Sequence, residues 1–374
     1  MAAFMAAVLS TAAGAADTQT RNIMHDVAEA LEVLLPLSLD SEAFLSRENR
    51  DVVSKHLSSL ESAAQGLAEH GSSRSLGFRL LAAAFSRAAT RLRRDFEELH
   101  PMDARFFLVD LTQHCVACHS RDAAGRDFSL SKALNRYLEE QPFNERERAG
   151  LQVALRQFDD AMQTWESVFS DPAVSPVDMA LEGDFTQYLT VAVRVLEQYP
   201  RAAGQLEDLM AREDTPFYLR RRLETWIGDL EATEQGRDDT LTIPAARETF
   251  LRPETHPGLL WNDGHLVSDL ALSGSLRRFV ESEDPGATPE QLAEAYYMLG
   301  VLEARTTGLY SALPTMERFW EAAIRAAPDS PYAVDAYALI EEYAATTFSG
   351  SLPFEQTDET FNRLSELRSL IGIE

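Results

Sequence analysis

The chain has 374 residues, 45% of them hydrophobic and 25% charged, a composition that excludes a disordered or collagen-like protein and fits one that buries its own cores. Sixty acidic against 34 basic residues leave a formal net charge of −26, which argues against a nucleic-acid backbone or an anionic lipid surface as the main partner. At this length two or three units are expected.

Residues 1–16, MAAFMAAVLSTAAGAA, are small and apolar and end in Ala-Gly-Ala-Ala. They read as a signal peptide cut near Ala15 or Ala16, although no Lys or Arg precedes Arg21. Export to the periplasm follows as an expectation. No later stretch reaches the roughly 18 uninterrupted apolar residues of a membrane span.

Residues 17–129 carry four helical patterns. The first runs from about Arg21 to Leu37, with Ile23, Val27, Ala30, Leu31 and Leu34 on one stripe. After a connection from Leu39 to Ser46, the second runs from Arg47 to Glu69 and stops at His70-Gly71. The third spans Leu76 to Leu99, and the fourth starts after Pro101, a residue tolerated in a helix's first turn. Short connections make neighbours antiparallel, so an up-down-up-down four-helix bundle is expected at the head of an all-α chain.

Residues 130–236 continue as amphipathic helices punctuated at Pro142, Pro172, Pro176 and Pro200. Residues 237–288, with Pro244, Pro253, Pro257, Gly258, Gly264 and Pro285, read as an irregular linker region. Residues 289–374 are again helical. There Gly300, Trp320, Ala323, Ala327-Pro328, Ala333, Ala336 and Ala338 partly resemble tetratricopeptide repeats, with about one and a half units visible where a solenoid needs three.

Both cysteines of the chain stand in one pentapeptide, Cys115-Val116-Ala117-Cys118-His119, the spacing of covalent haem c attachment. Two thiols one helical turn apart can form thioethers to the two vinyl groups, and the adjacent imidazole is placed over the iron. A zinc site drawn from His114, Cys115, Cys118 and His119 would need four ligands from six consecutive residues, too few to close a tetrahedron readily. A thioredoxin-like pair would want a preceding strand, and a disulfide across so short a loop contributes little. If the first and fourth helices are antiparallel, the haem lies beside the start of the first. There Met24 is at the edge of the apolar stripe and His25 points nearly opposite, which makes Met24 the better distal ligand of the iron.

Over about Thr18 to Asp127 the sequence resembles the class II cytochromes c, on the strength of four helices, a C-terminal Cys115-x-x-Cys118-His119 and a Met in the first helix. That resemblance implies His119 as fifth iron ligand and, from the Met-ligated branch, Met24 as sixth. The cytochrome c-prime branch implies instead a five-coordinate iron behind an apolar residue such as Ile23 or Val27. Arg21, Arg121 and Arg126 are candidate propionate partners. Some 240 residues beyond the bundle depart from the simple family pattern.

His56, His70 and His100 fall near polar faces or helix ends, while His256 and His265 accompany Trp261 and Asp263 without any known ligand spacing. Phe106, Phe107 and Phe128 are core or haem-wall candidates. No phosphate loop, nucleophile elbow or zinc-protease helix is present, so no catalytic residue is expected. The expected function is electron transfer by a periplasmic monohaem cytochrome whose helical C-terminal region docks a redox partner protein. The alternatives are a five-coordinate haem that binds or senses nitric oxide or carbon monoxide, and a scaffold whose haem is structural.

Overall fold

The computed structural model describes residues 2–39, 41–74, 76–99, 101–119, 144–236, 241–251, 265–281, 286–307, 315–348 and 354–373. Every regular element among them is helical, so the protein is all-α. Two compact units are present, one of Met1–Cys118 with Ala154–Arg156, the other of Asn144–Val153 and Gln157–Glu374 with His119.

The first unit holds α1 (Ala2–Leu39), the short α2 (Ser41–Leu45), α3 (Arg50–His70), α4 (Leu76–Arg94) and α5 (Pro101–His119). α1 begins well before the expected Arg21 and runs through Pro36, so the leader-like segment and the first stripe form one helix. The connection expected between the first two helices contains α2, because Phe44 there is wholly buried and stacks edge-on against Phe96 at 5.6 Å. α1 packs on α3 and α3 on α4, burying Val27, Leu31 and Leu34 with Val53, Leu57, Leu60 and Leu92. Each such side chain removed from water contributes roughly 1.5–3 kcal/mol.

Direction follows from paired residues. On α3 and α4, Glu61 meets Arg93 while Ser54 meets Glu97 of the π turn Asp95–Leu99, an antiparallel order. On α4 and α5, Arg91 lies over the Phe107 ring at 4.7 Å and Phe85 faces His114 at 6.2 Å, again antiparallel. The turn between α3 and α4 depends on Gly71, where a Cβ would stand 2.5 Å from the Phe78 ring. Finally Arg105, in the second turn of α5, donates to the carbonyl of Ser38 at the end of α1.

The second unit contains α6 (Glu145–Ala154), α7 (Phe158–Ser170), α8 (Pro176–Leu181), α9 (Asp184–Leu189) with the π turn Thr190–Val195, α10 (Tyr199–Ala211), α11 (Phe217–Gln235), α12 (Ile243–Phe250), α13 (Leu266–Glu281), α14 (Pro289–Thr307), α15 (Thr315–Ala326), α16 (Pro331–Phe348) and α17 (Phe354–Leu370). Ser175 starts α8 by accepting from Val177 N–H at 3.1 Å, with Pro176 in the first helical position, where its missing N–H is harmless. An aromatic chain fills the core between α7, α9 and α11: Trp165 against Tyr188, Tyr188 against Phe169, Phe169 against Phe185 and Phe185 against Trp226.

The stretch expected to be irregular, 237–288, contains α12 and α13. Pro244 does not break α12 because it sits in the first turn, where Thr242 caps the helix by accepting from Ala245 N–H at 3.4 Å. Pro253, Pro257, Gly258, Gly264 and Pro285 lie outside the described residues. Through this stretch the unit is continuous: α13 packs on the π turn, on α11 and on α14. Downstream, α14 packs on α15 and α15 on α16. Gly300 permits the first of these contacts, since a Cβ there would meet the Trp320 ring at 2.3 Å.

Candidate functional site

α5 carries the pentapeptide in its last two turns. Cys115 and Cys118 are three residues apart on one helix, hence on one face, and both are half-buried. The Cys115 sulfur lies 3.9 Å from the carbonyl of Leu111 one turn back. Burial, with Cys118 adding to it, pushes the Cys115 thiol up to about 12, so it is held as a neutral thiol and not as a thiolate. The two sulfurs are not joined as a disulfide. His119 is the last residue of α5 and is half-buried, and His114 packs its ring toward Phe85.

α1 supplies the facing turn. Val27 and Ala28 are buried, Ile23 and Met24 are half-buried, and His25 and Asp26 are exposed. A Cβ at Gly66 of α3 would touch the Ile23 side chain at 4.0 Å, which directs Ile23 toward α3. The relation between α1 and α5 is set by Arg105 at Ser38. Two antiparallel helices rise equally, about 1.5 Å per residue, so ten residues on from Arg105 the Cys115 turn stands at the level of Ala28. Three residues further, the same count puts Cys118 within about a turn of the Met24–His25 level. The two cysteines and the Met24 turn therefore lie toward the same end of the first unit, and His119 is the residue at which the second unit begins.

No family model, curated protein or solved structure matches this chain. What the site does is accordingly argued from its own chemistry. The motif offers two thiols one turn apart and an imidazole in the next position, soft sulfur and nitrogen donors. Among the described residues no group of three or more His, Cys, Asp or Glu side chains converges as a metal cluster, so the zinc reading of His114, Cys115, Cys118 and His119 gains no support from them.

Other sequence candidates are dispersed. Arg21 is exposed on α1, and His56 and His70 are half-exposed on α3. Arg121, Arg126, His100, Phe128, His256, Trp261 and Asp263 lie outside the described residues, as does the Phe106 side chain. Phe107 packs under Arg91, which accounts for it as a helix–helix contact. Sequence reasoning missed Arg105 and Phe85, which set the height and orientation of the last turns of α5. Arg105, the one Lys or Arg of α5, was the available signal for the former. No helix among the described residues is long and apolar enough to cross a membrane.

Proposed function

We propose that this chain is an exported c-type cytochrome that carries one haem through Cys115 and Cys118 and transfers electrons. The observation that supports the reading is the Cys115-x-x-Cys118-His119 motif at the end of α5, a helix whose opposite end contacts α1 through Arg105 and Ser38. The donor set fits the group: the sulfurs are reduced and share a face, and the half-buried Cys118 and His119 stand at a helix end, where a bulky planar ring can be admitted. The antiparallel order of α3, α4 and α5, with α1 packed on α3, supports a four-helix bundle as the setting.

Bound haem supplies a one-electron ferrous–ferric couple. Cys115 and Cys118 would hold the ring covalently, His119 would supply an imidazole to its iron and Met24 a thioether. A thioether ligand raises the potential. The second unit is assigned no chemistry and serves to dock the redox partner protein in the periplasm. The acidic balance of the chain suits a neutral or basic partner.

Haem that stays with the polypeptide on a denaturing gel, together with a far-red ferric absorption band of methionine ligation, is the expected result for protein matured in a periplasm. A protein whose haem is lost on denaturation would remove the covalent assignment. Val27 and Ile23 also flank Met24 with apolar surface, and this favours a second reading, a five-coordinate iron open to a small gas. A high-spin ferrous spectrum that shifts on adding carbon monoxide would select it.

A further inference from the structure

α10 and α11 pack on each other, and Phe217, the first residue of α11, stands 79% exposed with Tyr218 beside it at 52%. The turn that carries them is firmly held. Thr215 is buried and donates through its hydroxyl to the Leu209 carbonyl at 2.7 Å, while the Arg220 guanidinium donates to the Thr215 and Arg212 carbonyls at 2.9 Å each. Arg212 in turn reaches the carbonyls of Phe169 and Val174. An exposed aromatic on a fixed turn loses little entropy when it is covered. Next to it runs a groove of about 510 Å³ between the two helices. α10 lines it with Glu207, Met210 and Ala211, and α11 with Phe217, Arg221 and Glu224, each set at the three- and four-residue spacing of one helix face. Arg220, already bound to the turn, completes the lining.

Charge says what can cover this face. Residues 144–374 hold 41 acidic and 19 basic side chains, so one copy of the unit repels another over most of its surface. Residues 207–224 hold five and four, and the groove itself balances Glu207 and Glu224 with Arg220 and Arg221. Arg221 and Glu224 lie 3.6 Å apart at 62% and 67% exposure, a pairing weak enough to be exchanged for one across an interface. A basic partner would meet the two arginines and an acidic partner the two carboxylates, whereas a like copy brings both signs. None of the polar lining side chains is buried, so nothing there would orient a small ligand. The patch also carries both halves of an apolar contact, a projecting ring and a groove beside it, as a two-fold interface requires of a surface that must complement itself. We propose that α10 and α11 form a homodimer face on which the Phe217 ring of each copy is covered in the groove of the other. The face is independent of the haem reading. The patch is small, so the dimer belongs to the weak, micromolar class.

The test is analytical sedimentation of the full-length protein from about 1 to about 300 µM. Expected is a reversible monomer–dimer equilibrium with a dissociation constant in the micromolar range. Phe217→Ala, which removes the anchor, and Ala211→Glu, which crowds the groove with a like charge, should each weaken it at least about tenfold. Both side chains are exposed, so neither variant disturbs the core, and an unchanged Tm checks that. Leu251→Ala, which trims a side chain 65% exposed at the end of α12, should leave the equilibrium unaltered. A protein that stays monomeric throughout that range overturns the assignment, and so does a dimer that Phe217→Ala leaves intact or that Leu251→Ala weakens as much.

Discussion

Replacing Gly300 by alanine tests whether α14 and α15 meet as closely as described. An added Cβ would stand 2.3 Å from both Cδ1 and Nε1 of Trp320, roughly 1 Å inside ordinary contact. The indole cannot swing aside into solvent, because Trp320 is only 2% exposed and its Nε1 is itself enclosed. Overpacking of this kind costs about 1–3 kcal/mol, against which alanine's better helix propensity returns roughly 0.5–1. The net expectation for Gly300→Ala is destabilisation of about 1–2 kcal/mol. Gly204→Ala in α10 and Gly228→Ala in α11 are the controls, since nothing lies within 4 Å of a Cβ at either position. Those two should stabilise by roughly 0.5–1 kcal/mol. Urea unfolding followed by tryptophan fluorescence reads the second unit alone, because the four tryptophans are Trp165, Trp226, Trp261 and Trp320. Finding Gly300→Ala as stable as Gly204→Ala would refute the close approach.

Met24→Leu should abolish the far-red ferric band and yield a high-spin spectrum while His25→Ala leaves the band in place; the reverse outcome would move the distal assignment to His25. In haem-free protein carrying Cys118→Ser, iodoacetamide should modify Cys115 far more slowly at neutral pH than an ordinary thiol, because burial, the larger of the two causes that raise that thiol, remains when Cys118 is gone. Ordinary reactivity would contradict its enclosure. Burial alone would raise the Glu321 carboxyl, but Arg363, Arg325 and Arg318 outweigh it and hold the group below its usual 4.5. A depressed acid stabilises the fold above its unfolded-state value and loses that contribution as pH falls through the folded one. Thermal unfolding of the wild type should therefore weaken below about pH 4.5. Glu321→Gln should show a shallower acid slope and a loss of roughly 1–3 kcal/mol at pH 7; an unaltered slope counts against the network.

The helical class and the helical patterns of the first 119 residues were legible because each rests on local spacing. Helical phase alone set Met24 at the edge of the apolar stripe and His25 away from it, and in the structure Met24 is half-buried and His25 exposed. What spacing could not give was registry. The level of Cys118 along α1 depends on Arg105 reaching a carbonyl 67 residues away, a contact with no periodic signature. Prolines misled for a similar reason. Pro244 was read as a mark of irregular chain, yet its cost depends on whether its N–H would have been used, and in a first turn it is not. The short α2 escaped notice because five residues show no period, and one buried phenylalanine holds it in place.

α1 and α5 are the first and last helices of their unit, and the turns that hold Met24 and Cys118 lie toward the same end of it. A ligand bond that joins those turns through iron would therefore close nearly the whole unit into a ring of chain. In the chain-entropy account a closed loop of roughly 100 residues is worth about 4–5 kcal/mol. Because methionine sulfur binds ferrous iron more firmly than ferric, that fastening would tighten on reduction and slacken on oxidation. The mechanical integrity of the unit would then report the electron it carries.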